Sequence, residues 1–160
     1  MQKDLEKLID AESKAAYLFK QIEILNIIQP GKTEKDINDS IYQLAFKLFG
    51  IKKYWHKRIV RAGKNTLYPY DENPENLMVK ENDIVFLDFG PIFEDWEADY
   101  GRTFVLGNDP LKNKLKTDIE KAWKEAKTTQ DREHVIPYLI KNKKFSKFNF
   151  KNEKDYSDER

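Results

Sequence analysis

The chain of 160 residues contains no cysteine, which excludes a disulfide framework and any thiolate metal site. It has only two histidines, His56 and His134. It lacks an apolar run of membrane-spanning length. Its first residues, Met1-Gln-Lys-Asp-Leu-Glu-Lys, lack the basic-then-apolar pattern of a signal peptide. An excess of charge of one sign is also missing: 29 Lys and Arg stand against 28 Asp and Glu, a net charge of +1. That balance argues against nucleic acid or an acidic membrane as the principal partner. No short-period repeat is visible. The expectation is a cytoplasmic protein with no nucleic-acid and no membrane partner.

What the chain does have is charge, 36% of residues, interspersed rather than blocked, as on helices with solvated faces. From about Asp4 to Ile28, apolar residues at Leu5, Leu8, Ile9, Ala15, Ala16, Phe19, Ile22 and Leu25 follow helical spacing. Pro30-Gly31 ends that helix. Thr33 is placed as the N-cap of a second, with Glu34 and Asp36 in its first turn. This helix buries Ile37, Ile41, Leu44, Ala45 and Leu48, and Gly50 follows as its stop. The pattern turns β-like from Tyr54 to Val60, and Gly63, Asn65, Pro69, Asp71, Asn73 and Pro74 mark a long loop. Strands are predicted around Ile84–Phe89 and Ala98–Leu106, and Asn108-Asp109-Pro110 opens a third helix. Helix, helix, strands, helix, without a βαβ alternation, is an α+β order with an antiparallel sheet. Residues 128–160 carry neither period and are expected to be irregular.

The chemistry concentrates in Asn82-Asp-Ile-Val-Phe-Leu-Asp88-Phe-Gly90 and Glu97-Ala-Asp99-Tyr-Gly-Arg-Thr-Phe104. Two strands joined across Gly90-Pro91 read as antiparallel neighbours. Alternation then places Ile84, Phe86 and Asp88 on one face of the first, and Asp99, Gly101 and Thr103 on one face of the second. Two carboxylates side by side repel, and a divalent cation relieves the repulsion.

These strings resemble the metal-binding signature of the pita-bread metallopeptidases, the group of methionine aminopeptidases, Xaa-Pro dipeptidases and creatinase. Ala98-Asp99-Tyr100-Gly101-Arg102-Thr103-Phe104 fits the family's Ser/Ala-Asp-x-x-Arg-Thr-Phe motif. Ile59-Val-Arg-Ala-Gly63-Lys-Asn65 resembles its Val-x-x-Gly-x-Asn segment. The likeness covers residues 1 to about 126, and the expected organisation is a partial metallopeptidase domain over 1–127 with a divergent segment over 128–160. The resemblance implies that Asp88 chelates one metal and Asp99 bridges two, with Mn²⁺, Co²⁺, Zn²⁺ or Fe²⁺ suited to hard carboxylate oxygens. It also implies a peptide substrate hydrolysed by a metal-activated water.

Two departures qualify that picture. The family completes its site with one His and two Glu from a second structural half, and nothing after Asp99 matches them: three of the five implied ligands have no counterpart. His134 sits in Arg-Glu-His-Val-Ile-Pro, unlike the family's Gly-rich segment. The chain is therefore expected to be a truncated member, carrying mainly the first half of the fold, with weak metal binding and little or no activity alone. Tyr70 stands where the family's substrate-contacting His is commonly found. It is the candidate substrate-binding residue, with an aromatic loop anchor of Tyr68, Pro69 and Tyr70 as the plainer reading. No catalytic residue is assigned. His56 reads as a surface strand residue, Trp55, Phe93 and Trp96 as packing or a substrate rim, and Arg102 as the partner of a carboxylate. Besides the peptidase lineage, the sequence is compatible with a catalytically dead binding module. It is also compatible with a homodimer sharing a carboxylate metal site, or with a separate second half as partner.

Overall fold

The structure, a computed structural model, describes residues 2–125. Its elements are α1 (Gln2–Ile24), α2 (Glu34–Phe49), β1 (Ile59–Ala62), a 3-10 turn (Gly63–Leu67), β2 (Ile84–Phe89), β3 (Ile92–Phe93), β4 (Trp96–Glu97), β5 (Tyr100–Val105) and α3 (Pro110–Glu125). The described residues belong to two units divided between Asn113 and Lys114, so that the first unit holds every element before α3. The boundary expected after residue 127 and the irregular segment 128–160 lie outside the described residues.

Helix α1 stops at Ile24 rather than continuing to Ile28, because Asn26 turns the chain left-handed at φ 47 and lets the Ile27 N–H reach the Ile22 carbonyl at 3.1 Å. Its buried stripe is Ala11, Ala15, Leu18, Phe19 and Ile22. Leu5, Leu8 and Ile9, expected on the same buried face, are 57, 46 and 53% exposed. Burial of the α1 stripe begins at Ala11, where α2 and the sheet strands pack on it.

Helix α2 starts and stops where its residues dictate. The Asp36 N–H donates to the Thr33 hydroxyl at 3.1 Å, and the Thr33 N–H donates to the Asp36 carboxylate at 3.0 Å, a reciprocal capping box. Gly50 closes the helix at φ 68. Ile37, Ile41 and Ala45 are fully buried, and Leu44 and Leu48 pack against them in part.

Strands β1, β2 and β5 form an antiparallel sheet with β2 central. On β2, Val85, Leu87 and Phe89 are at most 1% exposed and Phe89 meets Phe19 of α1 edge-on at 6.0 Å. Ile84, Phe86 and Asp88 fall on the other, half-covered face. The β-like stretch begins only at Ile59; before it, Tyr54 contributes a single bridge to Pro91. Between β2 and β5 the chain makes a small hairpin, β3–β4, where the sequence suggested one turn.

One buried carboxylate ties α2 to the sheet. Glu34 accepts from the Ala62 N–H at 2.6 Å, from Asn65 Nδ2 at 2.9 and 3.1 Å, and from the Leu77 N–H at 3.2 Å. Asn65 of the Gly63-Lys-Asn65 string is thus a structural clamp, 1% exposed. Buried Arg61 donates to the carbonyls of Tyr68, Tyr70 and Glu72, which pins the loop that carries Tyr70.

Candidate metal centre

Asp88 is the last acidic residue of β2 and lies opposite Gly101 of β5. Gly101 has no side chain, so the strand order leaves room beside Asp88 for Asp99, two positions earlier on the same face. His56 is brought to the same place by the bend after Tyr54. The Trp55 N–H donates to the Gly90 carbonyl at 2.9 Å, and Trp55 Nε1 donates to the Ala98 carbonyl at 3.0 Å. These two bonds hold the 55–56 segment across the ends of both carboxylate-bearing segments.

His56 Nε2 lies 3.7 Å from Asp88 Oδ1 and 3.7 Å from Asp99 Oδ1. One donor atom of each of the three residues lies within 4.8 Å of the others. Burial pushes the Asp88 carboxyl above its ordinary 3.8; His56 opposes the shift and Asp99 adds to it. A half-buried carboxylate beside a second one is short of positive charge. Among the described residues, no Lys or Arg nitrogen lies within 4.0 Å of either Asp88 or Asp99. One imidazole nitrogen and two carboxylates are a donor set that suits Mn²⁺, Fe²⁺, Co²⁺ or Zn²⁺. The residues present fit such an ion.

Sequence reasoning brought Asp88 and Asp99 together and missed His56. Far from being a surface strand residue, the His56 side chain is 9% exposed and sits in a bend. No spacing signal links it to residues more than thirty positions away; the scarcity of histidine in the chain was the one available hint. Tyr70 stands beside the cluster, its ring centroid 6.1 Å from that of His56. Its phenolic oxygen accepts from the Lys57 N–H at 3.1 Å, and the Lys57 ammonium lies 4.9 Å above its ring. Phe93 is in the core and Trp96 packs against it, whereas Trp55 remains 46% exposed next to His56. Arg102 does not pair with a carboxylate as expected. It lies 4.5 Å over the Tyr100 ring and donates to the Tyr100 hydroxyl and the Gly101 carbonyl. Alternation sets it opposite Leu87, on the other face of the sheet from Asp88.

No described helix is long and apolar enough to cross a membrane. The chain is 35% identical over 106 residues to a Mycoplasma pneumoniae protein provisionally named Xaa-Pro aminopeptidase, which covers 66% of this chain and 28% of that protein. It is 28% identical over 124 residues to an Xaa-Pro dipeptidase of Lactobacillus helveticus, 77% of this chain and 33% of that one. The chain therefore spans about a third of the length of the curated relatives it matches. Among solved structures, proline aminopeptidase P II of Yersinia pestis superposes with a TM-score of 0.74 at 17% identity, over 89% of this chain and 34% of that one. The X-Pro aminopeptidase of Thermotoga maritima superposes with a TM-score of 0.67 at 22% identity, over 79% and 35%. Three helices and an antiparallel sheet, shared with these neighbours, make this part of a pita-bread fold. The sequence signature of metallopeptidase family M24 matches residues 6–132, and the chain belongs to that family.

Proposed function

We propose that this chain provides part of a divalent-metal-dependent peptidase acting on Xaa-Pro peptides, with Asp88 and Asp99 as metal ligands and Tyr70 at the substrate. The observation that carries the reading is the convergence of two uncompensated carboxylates and an imidazole at the open end of the sheet. The names of the relatives support the substrate class. A divalent ion held by Asp88 and Asp99 would supply a water of lowered pKa and would polarise the scissile carbonyl.

The chain's own residues do the rest. Asp88 is set by the β2 register and Asp99 directly precedes β5, so the backbone brings the two short side chains to one place. Tyr70 accepts from the Lys57 N–H, which leaves its own proton free to donate to a substrate carbonyl. The phenol is thereby an orienting donor toward the substrate. Arg61 holds the backbone on either side of Tyr70 from within the protein.

Calorimetric titration of the chain with Mn²⁺ or Co²⁺ tests the reading: binding is expected in the wild type and is expected to be abolished by Asp88→Ala and by Asp99→Ala. Unchanged binding in both variants would refute it. Because the one His and two Glu implied by the family resemblance have no counterpart after Asp99 in these residues, the 160-residue chain assayed alone turns over Met-initiated and Xaa-Pro peptides at or near background. Fixing the geometry of a catalytic centre takes several protein ligands. Robust metal-dependent turnover that Asp99→Ala removes would overturn that expectation.

A further inference from the structure

We infer that His56 is itself a metal ligand, binding through Nε2 and completing a one-nitrogen, two-carboxylate site within this chain. The inference rests on the metal reading of Asp88 and Asp99, and adds a nitrogen donor that the carboxylate motifs do not contain.

The tautomer is the first argument. His56 Nδ1 lies 2.7 Å from the Lys57 carbonyl oxygen, which can only accept, so Nδ1 carries a proton. In the neutral ring Nε2 then presents a lone pair, and it presents it to two carboxylates. A divalent cation between the three groups would use that lone pair and both carboxylates together. An Nδ1–H held by a backbone carbonyl is also the usual outer partner of a metal-ligating histidine, since it fixes ring orientation and raises the basicity of the other nitrogen.

Distance is the second. An imidazolium N–H bonded to a carboxylate draws it to about 2.7–2.9 Å. Both gaps here are 3.7 Å, too long for a hydrogen bond. Ligand atoms on bonds of about 2.0–2.2 Å to one ion stand roughly 3.0–3.5 Å apart in octahedral or tetrahedral geometry. The observed separations are nearer to this second pattern and equal on both sides.

Confinement is the third. A Cβ built on Gly90 would lie 2.5 Å from His56 Cδ2 and 2.7 Å from Nε2, so the ring is seated directly on the backbone that follows Asp88. The Trp55 ring stands edge-on at 4.3 Å. The imidazole cannot swing out without leaving this seat. Preorganised donors of this kind lower the ordering cost of binding.

The test uses the full chain labelled with ¹⁵N-histidine and titrated with Zn²⁺. With only two histidines present, His134→Gln assigns the signals. Expected are a Zn²⁺-dependent shift at His56 Nε2 with Nδ1 still protonated, and a Zn²⁺ affinity at least about tenfold weaker in His56→Gln. If saturating Zn²⁺ leaves the His56 nitrogens unmoved while Asp88→Ala abolishes binding, the ligand assignment is overturned and the carboxylate site stands. If Asp88→Ala and Asp99→Ala leave Zn²⁺ binding intact, both readings fall. The wild-type spectrum decides the question even where a variant does not fold.

Discussion

Gly90→Ala puts one methyl group where the structure has no room for it. The added Cβ would lie 2.4 Å from Trp55 Nε1, 2.5 Å from His56 Cδ2 and 2.7 Å from His56 Nε2. Ordinary carbon contacts are about 3.5–4.0 Å, so the indole and the imidazole must each retreat by roughly 1 Å. Neither retreat is free. Trp55 Nε1 is bonded to the Ala98 carbonyl at 3.0 Å and the Trp55 N–H to the Gly90 carbonyl itself at 2.9 Å. Overpacking of this kind costs about 1–3 kcal/mol, and a lost hydrogen bond adds about 0.5–1.5 kcal/mol. The expected destabilisation is about 2–4 kcal/mol. Gly101→Ala is the internal control, because its Cβ would meet only the Leu87 carbonyl at 3.4 Å. It should change stability by less than about 1 kcal/mol. Urea unfolding followed by circular dichroism measures both: the Gly90→Ala midpoint should fall by roughly 1 M or more at unchanged slope. A Gly90→Ala protein within 0.5 kcal/mol of wild type, by the ~1 kcal/mol scale of ordinary substitutions, would refute the claim that Trp55 and His56 are seated on this glycine.

Glu34→Ala removes the acceptor of two backbone N–H groups, Ala62 and Leu77, while Asn65 Nδ2 keeps the Glu75 carbonyl. At about 1–3 kcal/mol for each of the two donors left unpaired, a loss of about 2–6 kcal/mol is expected in urea unfolding; a loss under about 1 kcal/mol, the ordinary substitution scale, would show that water replaces the carboxylate. The Asp36 carboxyl is held below its ordinary 3.8 by the Thr33 hydroxyl and then by the Thr33 N–H. A depressed carboxyl stabilises the folded state above its unfolded pKa, and that contribution disappears as pH falls through the folded value. The stability gap between wild type and Asp36→Ala should therefore be constant from pH 7 to about 5, and narrow below 3.8; a gap that widens in acid would contradict the capping box.

Much of this protein was legible in the order of its residues, and the limit falls where local physics ends. Thr33, Asp36 and Gly50 bound α2 because caps and left-handed stops act within one turn of the chain. The Ile84–Phe89 strand and the faces within each strand follow from alternation, and its antiparallel partner from the Gly90-Pro91 turn; the register that sets Asp88 opposite Gly101 came with the structure. The family motif around Asp99 is local too, and its match extends over residues 6–132. Periodicity said nothing about where cover would stop, so it could not show that the apolar stripe of α1 is buried only from Ala11 onward. Nor could it deliver His56, whose approach to Asp88 and Asp99 depends on a bend, a bridge from Tyr54 to Pro91 and two bonds made by Trp55. Each of those contacts joins segments far apart in the chain, and their effect on position becomes definite only once the sheet has closed. The two carboxylates were written in a motif; the imidazole between them was supplied by the packing.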